Sequence, residues 1–410
     1  MGEKKGLFQY KWTLVAVLWF AYFLNQGDRQ IFNTVIPLLK ADLGVSDVQI
    51  GNVVMIFTAV YGVLVPVSGF LGDLFSRKWI VVVSLLVFSV GTLLTGLSGG
   101  LAMLIVYRSV ATGVGEAFYY PAATSLLSQL HTNTRATALS IHQTSLLYVG
   151  IIVSGYVSGY IGEHYGWRAA FYAFGSVGVL WAVAAMFVLR NTPPPAQSGA
   201  SHRIKFSEML AAVMRKESFY LLSLAFACQC FVNVGYNTWM PTYLYENFGL
   251  SLSSAGLNSM LWHFAFAFVG VMVGAEISDK YSAKFKTSRM WVEIVGLALA
   301  VPFIFAIGWT RNFYVCCVAM AGFGFFRGVY DSNLFAALFD VVKPQYRATA
   351  SGLYLAFAFV AGSLAPRVLA HIKEATDLAT GIASLGWFFA AGAVFLLLAT
   401  LLFFRKNYES

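Results

Sequence analysis

Apolar runs of about 20 residues follow one another along almost the whole chain, each long enough to cross the hydrocarbon core of a bilayer. Twelve are expected, near residues 12–39, 51–72, 79–98, 101–130, 137–162, 168–190, 218–246, 254–278, 288–309, 313–341, 347–372 and 380–404. In lipid every backbone polar group needs a partner within its own segment, so runs of this kind fold as helices. The composition agrees. The chain is 59% hydrophobic and 11% charged, with a mean hydropathy of +0.70, and a soluble domain carries about twice that charge. The expected fold is therefore an all-α membrane protein of twelve transmembrane helices.

The formal charge of +9 follows from the loops and implies no nucleic-acid partner. Loops on one side carry Lys4, Lys5, Lys11, Arg77, Lys78, Arg135 and Arg190, and later Lys280, Lys284, Lys286, Arg347 and Lys406. The other side has only Lys40, Arg168, Arg311 and Lys373. The positive-inside rule then places both termini in the cytoplasm. The first apolar run is too long for a cleavable signal, and no small-residue cleavage site follows it.

One long polar stretch, 191–217, divides the chain into an expected N-terminal six-helix bundle (1–190) and a C-terminal one (218–410). The stretch opens with Pro193-Pro194-Pro195, and its Phe206–Met214 segment fits a short amphipathic surface helix. The halves repeat. Thr134-Arg135-Ala136-Thr137-Ala138 corresponds to Tyr346-Arg347-Ala348-Thr349-Ala350. A repeat in the same orientation implies a pseudo-twofold axis along the membrane normal and a central solute site.

Ionisable groups inside such runs are expensive and mark pathways for polar solutes or protons. Asp28 and Glu116 are the candidate proton-coupling pair. Arg29 is the candidate anion anchor, because its guanidinium forms a planar fork suited to carboxylates and phosphates. Its structural alternative is an ion pair with Glu116. Arg327 and Asp331, at i, i+4, share a helix face and pair by default. Asn233, Tyr236 and Asn237 share another face, and their amides and phenol suit hydroxyl-rich ligands. Tyr119 and Tyr120, one turn beyond Glu116, are placed to stack on a sugar face. His142, Gln143 and His263 are further polar groups deep in apolar segments.

Other chemistries lack their signals. There is no phosphate-cradling Gly-x-x-x-x-Gly-Lys-Ser/Thr and no nucleophile elbow. Cys228, Cys230, Cys316 and Cys317 have no metal spacing and read as packing residues. Neither an enzyme activity, a metal nor a cofactor is expected.

Five motifs carry a family resemblance. Gly69-Phe70-Leu71-Gly72-Asp73-Leu74-Phe75-Ser76-Arg77-Lys78 is similar to the signature loop of the major facilitator superfamily. Asn25-Gln26-Gly27-Asp28-Arg29 and Gly113-Val114-Gly115-Glu116-Ala117 resemble motifs of its anion:cation symporters and of the Spinster-like lipid transporters. Phe118-Tyr119-Tyr120-Pro121 and Trp239-Met240-Pro241 incline toward the symporters. The resemblance covers nearly the whole chain. It implies a monomeric, proton-coupled symporter of a small organic anion, such as a hexuronate or aldonate, in a bacterial inner membrane. A Spinster-like carrier of lysolipids or other amphiphilic anions is the second reading, and a non-transporting receptor is the alternative of another class. Gly69, Asp73, Arg77, Lys78, Arg135 and Arg347 are implied as gating residues, with Asp73 and Arg77 forming a latch. Arg108 lies eight residues before Glu116, where these groups have seven, and one extra residue rotates a side chain by about 100°. The expectation is a local bulge near Thr112-Gly113 that returns Arg108 to the solute site.

Overall fold

The computed structural model describes residues 2–131, 134–145, 150–191, 213–282 and 284–408; the side chains of 2–9, 69–74, 136, 344, 348 and 405 are outside that description. Most of the linker, including residues 206–212 of the expected surface helix, lies outside the described residues, as do 146–149 within the fifth expected span.

Contacts divide the chain into two compact units. The first holds residues 1–198 and 250–257, and the second holds 199–249 and 258–410. The first unit contains α1 (Gly2–Leu43), α2 (Asp47–Leu74), α3 (Arg77–Gly96), α4 (Leu101–Leu130), α5 (Arg135–Thr144), α6 (Ile151–Tyr165) and α7 (Trp167–Val188). There follow α8 (Glu217–Phe248), α9 (Leu252–Ser282), α10 (Ser288–Trp309), α11 (Phe313–Asp331), α12 (Leu334–Val341), α13 (Arg347–Ser363), α14 (Ala365–Ala375) and α15 (Leu378–Leu398). Among the described residues, ten helical runs are long and apolar enough to cross a membrane. The protein is an all-α integral membrane protein. Of the twelve expected crossings, α1 and the α5–α6 region are the two not among these ten.

The polar cluster Asn25–Arg29 does not break its helix: α1 continues through it for 42 residues. The backbone bonds there are already satisfied within the helix, so only the side chains need partners. In the first unit α3 packs closely on α4. A Cβ on Gly115 would lie 2.5 Å from the Phe88 backbone nitrogen, and Ser84 Oγ donates to the Gly115 carbonyl at 2.5 Å. That close approach fixes the position of the next residue, Glu116. At the far end of α1, Asp42 accepts from Trp167 at 3.1 Å and from Arg168. Those donors hold its exposed carboxyl below the usual carboxylate range.

The repeat seen in the sequence persists in hydrogen bonding. Arg135 Nη2 donates back to the Ser128 carbonyl at 3.2 Å, and Arg347 Nη2 to the Phe339 carbonyl at 3.2 Å. Each arginine thus ties the start of one helix to carbonyls at the end of the one before it.

Candidate functional site

Four charged side chains meet inside the first unit. Arg29 Nε donates to Glu116 Oε2 at 2.6 Å, and Arg108 Nη1 lies 3.9 Å from Glu116 Oε1. Asp28 is within electrostatic reach of Glu116, Arg108 and Arg29, and lies beside Thr92 on α3. Asp28, Arg108 and Glu116 are buried, at 3%, 4% and 1% exposure, whereas the Arg29 side chain remains 27% exposed. Of the four, Arg29 is therefore the group a solute can reach. Aromatic rings wall the cluster. The Arg29 guanidinium lies 4.3 Å from the Tyr61 ring centroid and 5.3 Å from that of Phe57, and Arg108 lies 4.3 Å from Phe57 and 5.2 Å from Phe32. Guanidinium groups over rings gain cation–π attraction, most strongly where water is excluded.

Two cations beside two carboxylates can stand ionised together in a place where a lone charge could not. The arrangement can also exchange partners. An arriving anion can take Arg29 from Glu116, and the freed carboxylate can take a proton. Arg29 Nη2 is itself buried and without a hydrogen-bond partner among the described residues.

Arg108 reaches this cluster through a π-helical stretch, Ile105–Ala111. The Thr112 N–H bonds to the Tyr107 carbonyl, five residues back, and Thr112 Oγ1 donates to the same carbonyl at 2.9 Å. A π-turn accommodates one extra residue without disturbing the register on either side. The bulge therefore exists near the expected place, spanning Ile105–Ala111 and closed by the Thr112 N–H. Deleting Val110, which is 42% exposed, should convert the stretch to regular α-helix and keep Arg108 facing Glu116. The expected outcome is a folded protein with unchanged anion affinity by thermal shift. A loss of binding on this deletion would show that the π-turn does more than absorb a residue.

The other candidates divide. Tyr119 and Tyr236 differ from expectation, because both are sealed into helix packing rather than offering a ring face. The Tyr119 hydroxyl donates to the Leu18 carbonyl at 2.5 Å, and the Tyr236 hydroxyl to the Ser259 carbonyl at 3.1 Å. His142 is also enclosed, stacked on Tyr22 at 4.7 Å, with Nε2 3.3 Å from the Tyr119 hydroxyl. Tyr120 and Gln143 are bonded to each other at 2.5 Å. In the second unit Arg327 Nε pairs with Asp331 Oδ2 at 3.2 Å, Gln229 Nε2 donates to Asp331 Oδ1 at 3.1 Å, and Arg327 Nη1 contacts His263 Nε2. Asn237 donates to Asn233 at 3.1 Å, and both are half-buried. Arg77 donates to Gln129 Oε1 at 3.0 Å, and Lys78 lies over the Trp79 ring at 5.3 Å. The side chain of Asp73, and position 69, are outside the described side chains, so the latch is not visible. Phe57, Tyr61, Thr92 and Gln229 join these networks without any signal in the sequence. They are ordinary residues of apolar helices until the neighbouring helices are in place.

A sequence model of the Major Facilitator Superfamily matches residues 18–366. The chain belongs to the Major Facilitator Superfamily. It is a membrane transporter and not an enzyme. The transporter is 26% identical over 379 residues to the "Probable sulfoacetate transporter SauU" of Cupriavidus necator, covering 88% of this chain and 87% of that one. It is 26% identical over 385 residues to "Protein spinster" of Drosophila melanogaster, covering 89% of this chain and 62% of that one. A crystal structure of a bacterial homologue of the human lysosomal transporter Spinster, inward-facing and unoccupied, has the same fold. Its TM-score is 0.86 at 21% identity, with 98% of this chain and 99% of that one covered. The relatives thus include both organic-anion carriers and Spinster-like proteins, and they do not rank the two resemblances.

Proposed function

We propose that the transporter is a proton-coupled secondary carrier of an amphiphilic organic anion, of the lysolipid type implied by the Spinster-like resemblance, working by alternating access. The observation that carries this reading is the Arg29–Glu116 pair, reachable on its Arg29 side and walled by Phe57 and Tyr61. A partly exposed arginine beside aromatic rings suits a ligand with one charged end and an apolar remainder. The groups that would grip a sugar's hydroxyls in this unit, Tyr119, Tyr120, His142 and Gln143, are engaged with backbone or with one another. The similarity to protein spinster supports the same choice. The proposed topology has twelve crossings, with α1 and the α5–α6 region added to the ten. It is arranged as two six-helix bundles joined by a linker at 191–217, with both termini in the cytoplasm.

A second reading, a small hydrophilic anion such as a sugar acid or a sulfonate, is favoured by the Asn233–Asn237 amides and by the similarity to SauU. Thermal shift of the purified protein in nanodiscs separates the two. A ligand at about 100 times its Kd stabilises by about 2.7 kcal/mol, which is readily measured. A lysophospholipid should raise the transition while a hexuronate, sulfoacetate and a neutral sugar leave it in place. A shift with the hydrophilic anions alone would transfer the assignment to the second reading. A shift with the neutral sugar alone would sink both.

A further inference from the structure

Another buried ionisable group lies apart from the clusters above. Glu293, on α10, is 1% exposed, and its Oε1 has no hydrogen-bond partner among the described residues. It sits within one of the ten apolar runs. Gly296, three residues on and so on the same face, brings α10 against α11: a Cβ there would lie 2.8 Å from the Tyr330 backbone nitrogen. The groups facing Glu293 are Tyr330 and Asp331 from α11, Asp340 from α12 and Tyr354 from α13. The α15 helix, also packed on α10, carries no ionisable residue.

The cations of this region are committed elsewhere. Arg289, one turn before Glu293 on α10, pairs with Asp340 at 2.5 Å. Arg327 pairs with Asp331 and contacts His263, and Arg347 donates to the Phe339 carbonyl. An ionised Glu293, buried and with its Oε1 unpartnered, would thus face two further carboxylates and no free counter-charge among the described residues, the arrangement that buried charges avoid.

We infer that Glu293 is a proton-binding site of the second unit, separate from Asp28 and Glu116. In this conformation the carboxyl holds its proton. It releases that proton when water reaches the Tyr330–Tyr354 face or when Arg289 leaves Asp340 for the carboxylate one turn away. In that step the Glu293 O–H bond breaks, the proton passes to water, and the residual charge is met by Arg289 or by the water admitted. The transport consequence rests on the proton-coupled reading above, but the protonation itself does not.

Infrared difference spectra of the full-length protein in nanodiscs, recorded between acid and alkaline pH, read the protonation directly. The expected result is a carboxylic-acid carbonyl band in the wild type that is lost as pH rises, is missing in Glu293→Gln and persists in Asp28→Asn. Where Glu293→Gln fails to fold, Glu293→Asp should move the band instead. A spectrum unchanged by substitution at 293, or a band that never titrates, overturns the inference. Uptake into vesicles is the second readout. Glu293→Gln should keep wild-type anion affinity and lose proton-driven accumulation, and full accumulation also overturns the inference. If the wild type itself shows no proton-driven uptake, the transport reading fails, and the infrared arm still decides Glu293.

Discussion

Asp28→Asn and Glu116→Gln should each reduce proton-driven accumulation of the anion to the level of protein-free vesicles, with opposite effects on stability. Both substitutions remove a group able to take and release a proton beside the Arg29 site. Glu116 balances two arginines, Arg29 at 2.6 Å and Arg108 at 3.9 Å. Glu116→Gln leaves both facing a neutral amide, and breaking a buried pair by removing one partner costs about 3–5 kcal/mol. Its thermal transition should fall. Asp28 differs, because its Oδ2 has no hydrogen-bond partner among the described residues. Replacing that carboxylate with an amide of the same shape removes an incompletely paired buried charge, so the Asp28→Asn transition should hold or rise. Gradient-driven uptake in vesicles and thermal unfolding of the same preparations test both parts. Full accumulation in either variant would remove that residue from coupling. A stable Glu116→Gln would mean that the arginines find another counter-charge.

Arg29→Lys should weaken anion binding at least about tenfold, or about 1.4 kcal/mol, while Asn237→Ala leaves it unchanged. The guanidinium uses Nε for Glu116 at 2.6 Å and keeps Nη2 without a partner. Its planar fork has further N–H donors that can turn to a ligand while Nε still holds the carboxylate. A lysine offers one compact charge, and it must choose between the two and gives up the planar guanidinium over the Tyr61 ring. Binding isotherms on both variants decide the point. Retained affinity in Arg29→Lys with a loss in Asn237→Ala would place recognition in the second unit, on the Asn233–Asn237 amides.

The membrane-embedded, all-helical character was legible from the apolar runs alone, because lipid leaves the backbone no other way to satisfy itself. Asp28, Arg29, Glu116 and Arg327 were legible for a related reason. A charge within an apolar run stands out whatever its partner. Glu293 bears the same mark, in the run from Ser288 to Trp309, but no neighbouring motif gives it a role. The direction of Arg108 was not legible. Periodicity assumes a constant 3.6 residues per turn, and only the bond from Thr112 to the Tyr107 carbonyl shows where the extra residue goes. Nor could spacing tell an open ring from a sealed one. Tyr119 and Tyr236 share helical faces with cluster residues, yet their hydroxyls end on carbonyls of other helices. By itself, then, the sequence determined which segments lie in the membrane and which of them carry charge, since both follow from the cost of transfer into lipid. Which charges pair, and which polar side chains remain open to a solute, was decided only by the tertiary structure, because pairing depends on helices far apart in the chain meeting at close range.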